Sequence, residues 1–268
     1  MEGRLARIGL RIWVGGVLLF LFVPIAIIVV YAFNASNVQS WPIQGLSLKW
    51  FPVAWHDPQV RAAFVLSLKA AVFATVIALL LGSAAAFGVH RFRFFGREGV
   101  SLLLVLPLAL PGIITGIALN SAFNFAGIGL SLLTIIIGHA TFCIVVVFNN
   151  LIARLRRLPG SLTEASMDLG ARGWQTLRYI ILPLSATALV SGALLAFALS
   201  FDEVIVTIFT AGAQNTLPLW IFGAIRLGQQ LPEVNAVVTI VILLTLIPVV
   251  LAARIAGTGA INRSSRSA

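Results

Sequence analysis

The sequence predicts an all-α integral membrane protein with six transmembrane helices, and three observations carry that prediction. Of 268 residues, 60% are hydrophobic and only 10% charged, against roughly a quarter charged in soluble domains. The mean hydropathy is +1.05, so the apolar excess must face lipid rather than water. Six apolar stretches reach the roughly 20 residues that a helix needs to cross a bilayer; they cover 12–33, 64–89, 101–123, 129–149, 184–210 and 234–255. Hydrocarbon offers no water to the backbone, so each stretch must close its own hydrogen bonds as a helix. A single transmembrane domain over 1–268 is the expected organisation.

The first stretch lacks an A-x-A-like cleavage site before the polar segment Asn34–Ser40, which reads as a membrane helix rather than a removed signal. The connection 34–63 that follows carries Trp41, Trp50, Phe51 and Trp55, with Pro42, Pro52 and Pro58 interrupting any long helix. An interfacial aromatic belt explains it; a docking surface for an external partner is the alternative. In the second stretch the small residues Gly82–Ala86 predict close helix packing. Pro107, Pro111 and Gly112 should bend the third. Asn120, Asn124 and His139 read as interhelical hydrogen-bond partners, and Cys143 as a small buried side chain.

Charge sets the orientation. One set of alternate connections holds Arg4, Arg7 and Arg11, then Arg91, Arg93 and Arg97, then Arg154, Arg156, Arg157, Arg172 and Arg178, and finally Arg254, Arg263 and Arg266. The other set holds Lys49, Arg61, Lys69 and Arg226, so the excess is fourteen against four. By the positive-inside rule the first set is cytoplasmic, and both termini lie with it. The same placement explains the net charge of +10 without nucleic acid. Other chemistries are excluded by spacing. Leu precedes both lysines, so no Gly-Lys-Ser/Thr phosphate loop exists. His56, His90 and His139 lack the HExxH spacing, and one cysteine makes neither an intramolecular disulfide nor a thiolate metal site. No metal site, nucleophile–base constellation or internal repeat emerges, which argues against a membrane enzyme and a stand-alone secondary transporter.

The longest inner connection, 150–183, is not loop-like throughout. Thr163 is placed to cap a short helix, and Leu169, Trp174, Leu177 and Ile181 recur near helical spacing. Its core reads EASMDLGARGWQTLRYIILP from Glu164 to Pro183. Glu164 suits a helix N-terminus and a partner's arginine, Ala165 and Ser166 suit close packing in a partner's cleft, and Gly170 suits a left-handed turn. Pro183 suits the start of a new helix. The pattern of Glu-Ala-small, Gly170, Ile180 and Leu182–Pro183 resembles the cytoplasmic EAA loop of ABC-importer permease subunits, with Ser166 where that family usually has a second Ala. The stretches Gly45–Phe51, Leu106–Leu119, Gly138–Asn150, Ala198–Gly212 and Thr216–Phe222 extend the resemblance to the second permease of spermidine/putrescine systems, on the putrescine side.

That resemblance implies a type I ABC-importer permease fold with a coupling helix, in a bacterial inner membrane. It implies coupling to an ATPase through Glu164, Ala165, Ser166, Asp168, Gly170, Ile180, Leu182 and Pro183. The implied partners are a second permease, two ATPase subunits and an external polyamine-binding protein. The chain is expected to bind no cofactor itself, with ATP and Mg used by the ATPase. Polyamines are the expected cargo, with an opine or another amine-bearing solute as the alternative. Of eight acidic residues only Asp202 and Glu203 fall inside an apolar stretch. Ionisable groups there face a cavity or a partner charge, and residue 202 lies roughly 28 Å along the helix from Pro183, near the outer mouth. Two readings stand: contact with a cationic cargo, or a structural ion pair with Lys69 near the outer end of the second stretch.

Overall fold

A computed structural model describes residues 4–92, 94–228 and 230–245. Among them every extended element is helical, and two compact units divide the chain: Ala62–Phe222, and Met1–Arg61 together with Gly223–Ala268. Among the described residues four helices are long and apolar enough to cross a membrane.

The first is α1 (Arg4–Ala32), which contains Pro24. Its 18-residue apolar window buries nothing, which suits a lipid-facing helix. After it, the connection folds back on itself. The Trp50 indole donates to the Asn34 carbonyl at 2.8 Å, and the Phe33 and Phe51 rings lie 5.1 Å apart. The short α2 (Trp50–His56) follows, leaving Trp41 and Trp55 exposed.

Helix α3 (Pro58–Arg91) starts six residues before the expected boundary. Its N-terminus explains why: the Asp57 carboxylate accepts the Gln59 N–H at 2.6 Å, and Pro58 takes the first helical position, where a missing N–H costs nothing. The third expected span is two helices, α4 (Arg97–Ala109) and α5 (Gly112–Phe125), broken at Leu110–Pro111. Helix α6 (Leu132–Leu155) opens where Thr134 Oγ1 accepts the Ser131 N–H at 2.7 Å, and it runs six residues past Asn149. It is the most buried of the long helices.

Three clusters stack along α3 and α6 and make the core of the larger unit. Ala70 packs with Ile135, Ala78 with Cys143 and Val147, and Ala86 with Leu151 and Leu155, so the two helices run parallel. Alanine at each level of α3 lets the larger α6 side chains approach closely. Gly82 continues the row: a Cβ there would lie 2.8 Å from the Ile144 carbonyl oxygen.

Beyond α6 come α7 (Ser161–Asp168) and α8 (Gly173–Thr176), then a π-helical turn, Leu177–Ile181, leading into α9 (Leu182–Phe201). The fifth expected span therefore stops at Phe201, and a separate α10 (Ile205–Thr210) follows. Helices α11 (Leu217–Leu227) and α12 (Leu231–Thr245) complete the described chain. The end of the sixth expected span, together with Arg93, Arg254, Arg263 and Arg266, lies outside the described residues.

Candidate coupling surface and translocation path

Helix α7 carries the Glu164–Ala165–Ser166 motif and ends in a Schellman turn. Gly170 has φ +81°, its N–H donates to Met167 at 2.8 Å, and the Ala171 N–H donates to Ser166 at 3.0 Å. Thr163 is not the cap: α7 begins at Ser161, and Thr163 sits inside its first turn. Glu164, Ala165 and Asp168 are exposed.

Ser166 corrects the expectation that it faces a partner. It is buried within the chain; its hydroxyl donates to the Thr163 carbonyl at 2.8 Å and shares a 2.8 Å hydrogen bond with Thr176. The departure from Ala thus gives α7 a polar clasp on α8. Alanine cannot make that bond.

Pro183 stands in the first turn of α9, as expected, but α9 continues directly from the turn before it. The helical run is continuous from Gly173 to Phe201. Proline removes one backbone donor and crowds the preceding turn, and here the turn beneath it widens: the Leu182 N–H reaches Leu177 in a π-type bond. Ile180 and Ile181 face a small cavity lined also by Leu155 and Leu158, which anchors this turn against the end of α6.

At the other end of α9 the two acidic residues separate. Asp202 caps α9 through its backbone, and its side chain is exposed without a partner among the described residues. Glu203 turns inward: its Oε1 accepts the Val206 N–H at 2.9 Å, and its carbonyl accepts the Thr207 hydroxyl at 2.7 Å. It therefore closes the start of α10, where a carboxylate is favoured by the exposed amides. No ion pair joins Lys69 to either carboxylate among the described residues. Lys69 is exposed, on a different face of α3 from buried Ser67 and Ala70, and Glu203 already serves α10.

A buried polar network spans the break. His139 on α6 shares a 2.8 Å hydrogen bond through Nδ1 with Ser200 on α9, and a 2.9 Å bond through Nε2 with Thr207 on α10. Around it, Asn120 donates to the Phe209 carbonyl at 2.6 Å and Asn124 to the Asn120 side chain at 2.8 Å. Thr134 donates to Thr210 at 2.7 Å, and Cys143 is buried with its thiol against the Ala196 carbonyl. Side chains thus satisfy backbone groups at both ends of α10, through Glu203 on the Val206 N–H and Asn120 and Thr134 on the Phe209 and Thr210 carbonyls, the condition for irregular chain at membrane depth. Gly112 and Gly116 on α5 lie against Ile205 and Phe209, so α10 seats where no side chain competes.

Two features escaped the sequence reading. One is a third acid in an apolar setting, Glu233, which is buried beside Asp57 within the smaller unit. Burial, reinforced by the adjacent Asp57 carboxylate, pushes its carboxyl up to about 7. Proline at 232 and Glu at 233 read as a helix start, a signal hidden because the apolar window opened at Val234. The other is a basic cavity behind α7, described below.

A helical membrane scaffold whose two broken spans meet at a polar network, with a short exposed helix tied to the next span, defines a transporter permease. Residues 78–258 match the protein family described as a binding-protein-dependent transport system inner membrane component. The chain is 36% identical to the spermidine/putrescine transport system permease protein PotC of Escherichia coli (strain K12), over 93% of each chain. It is 37% identical to the putrescine transport system permease protein PotI of the same strain, over 83% of this chain and 82% of that one. In fold it matches the structure of a bacterial ABC transporter involved in the import of the acidic polysaccharide alginate, with TM-score 0.67 at 19% identity, covering 94% of this chain and 98% of that chain. The chain belongs to the family of binding-protein-dependent transport system inner membrane components, as a multi-pass membrane permease.

Proposed function

We propose that this chain is the second permease subunit of an ATP-driven bacterial importer for polyamines of the putrescine/spermidine class. The observation that carries the reading is similarity over 93% and 83% of this chain to two permeases named for those cargoes, 36% and 37% identical. The exposed Asp202 carboxylate at the broken helix, without a partner among the described residues, supports it, because a polycation needs such a group and an anion would be repelled by it. In this reading Asp202 meets an ammonium group of the cargo, while Glu203 keeps α10 in place. An external binding protein delivers the amine, and a sister permease supplies the other half of the path. Two ATPase subunits use ATP and Mg, so this chain binds no cofactor and catalyses nothing. One ATPase receives the exposed face of α7, with Glu164, Ala165 and Asp168, and the clasp to Thr176 carries its movement into α9. Both termini are cytoplasmic, from the arginine distribution. Cargo affinity then differs between the two access states, which is what lets ATP drive uptake.

The test is reconstitution of the four kinds of subunit in proteoliposomes, with ATP-dependent uptake of labelled putrescine and spermidine. Glu164→Arg should leave ATP hydrolysis running without uptake, and Asp202→Asn should cut uptake while hydrolysis persists. A complex that hydrolyses ATP and moves neither amine refutes the cargo; one whose uptake ignores Glu164→Arg refutes the coupling role.

A further inference from the structure

Behind α7, on the side turned toward the inner ends of α3 and α6, lies an open cavity of about 1240 Å³. Its polar part is cationic: Arg91, Arg97 and Arg156 line it beside His90, against one carboxylate, Glu164. Its remaining wall is apolar, including Phe87, Phe92, Trp174 and Leu177. Neither Arg91 nor Arg156 has an ion-pair partner among the described residues. Arg91 is held at this place by shape. Its guanidinium lies over Gly173, where a Cβ would come 3.3 Å from Nη2, so the bare glycine at the start of α8 gives the side chain its seat. The cavity therefore joins the end of one membrane helix to the segment that follows α7.

We propose that this cavity binds the headgroup of an anionic phospholipid of the inner leaflet, with its phosphate on Arg91 and Arg156. Arginine offers a planar fork that matches phosphate oxygens bidentately, and basic pockets between helices at the inner face are suited to acidic headgroups. The split lining discriminates among phosphates. Inorganic phosphate would use the arginines and leave the aromatic wall idle, whereas a lipid places its glycerol and first methylenes against Phe92, Trp174 and Leu177. The volume exceeds what a lone anion fills. A lipid seated there would brace the coupling loop against α3. The inference rests on the inner placement of these arginines taken under the proposed function, and its test is independent of cargo.

The experiment reconstitutes the full chain in vesicles containing phosphatidylglycerol or phosphatidylcholine with brominated acyl chains, at equal mole fractions. Trp174 lines the cavity, so its quenching is read as the difference between the wild-type chain and Trp174→Phe. Brominated phosphatidylglycerol should quench Trp174 with about fivefold preference over phosphatidylcholine, the effect of roughly one basic contact at a membrane surface. Arg91→Gln with Arg156→Gln should bring the preference to unity, and Arg91→Lys with Arg156→Lys should retain most of it, which separates lost charge from lost fold. Equal quenching by the two lipids overturns the proposal, as does a preference that survives the glutamine pair. Loss of the preference on adding inorganic phosphate assigns the arginines to a free anion and overturns it. Loss on assembly with the ATPase gives the cavity to that partner and overturns it as well.

Discussion

Replacing Gly82 by alanine adds one methyl group at the tightest approach between α3 and α6. The new Cβ would lie 2.8 Å from the Ile144 carbonyl oxygen and 3.1 Å and 3.2 Å from Val147 Cβ and Cγ1. Non-bonded carbon prefers about 3.5–4.0 Å. The helices must therefore part by roughly half an ångström, because the obstacle is helical backbone that cannot swing aside. The displacement loosens Ala78 and Ala86, one turn away on each side, from Val147 and Leu151. Overpacking of this kind costs about 1–3 kcal/mol. Gly88→Ala supplies the control: the same chemical change on the same helix, with nothing within 4 Å of the added carbon. There the gain in helix propensity should stabilise by about 0.5–1 kcal/mol. The two substitutions should thus move stability in opposite directions. The assay is the thermal midpoint of the purified chain in detergent, followed by loss of the monodisperse peak on size exclusion. A Gly82→Ala chain that melts at or above Gly88→Ala refutes the packing described for these helices.

Other consequences are open to test. His139→Leu strands the Ser200 hydroxyl, while Thr207 keeps its bond to Glu203, so the loss should be about 1–3 kcal/mol and Ser200→Ala in the same chain should recover part of it in the same melting assay. Gly170→Val forces a branched residue to φ +81° and should cost at least about 1–2 kcal/mol locally, read as uptake lost per ATP hydrolysed, with Gly170→Asn milder. For Glu233 the folded state raises the carboxyl from 4.5 to about 7, so its contribution is complete below pH 4.5 and is lost as pH rises through about 7. Thermal midpoints should fall over that window in the wild-type chain, and Glu233→Gln should flatten the fall; an unchanged slope refutes the assignment.

What the sequence discloses and what it hides divide along physical lines. The long helices follow from runs of apolar residues, which the bilayer selects without help from tertiary contacts. Proline and glycine announce the break between α4 and α5, because they act on their own turn. The break after Phe201 has no such signature: Ser200 and Thr207 are separated from their organiser, His139, by 61 and 68 positions, and only the fold brings them together. The sequence offers Glu203 either a cationic cargo or Lys69 as partner, whereas its carboxylate takes the Val206 N–H at the start of α10, a role that depends on where α9 stops. Ser166 reads in sequence as a small residue in place of alanine, and its hydroxyl makes a specific contact with Thr176, ten residues on. The basic cavity shows in sequence only as charge, because Arg91 and Arg156 are remote in the chain and line one cavity only once the inner ends of α3 and α6 lie side by side.

The unbroken helix from Gly173 to Phe201 has 29 residues, hence a length of about 43 Å. It behaves as a lever with a latch at each end: the Thr176 hydroxyl on Ser166 and the Ser200 hydroxyl on His139, both at 2.8 Å. A tilt of about 10° about its centre swings each end by nearly 4 Å, more than a hydrogen bond survives. The latches cannot both hold while it tilts unless their neighbours follow. If α7 is carried along by a partner, the near latch stays closed and the load falls on the far one, the Ser200–His139 bond at the broken helix. Displacements under about 1 Å are absorbed at both ends, so the arrangement transmits large strokes and ignores small ones.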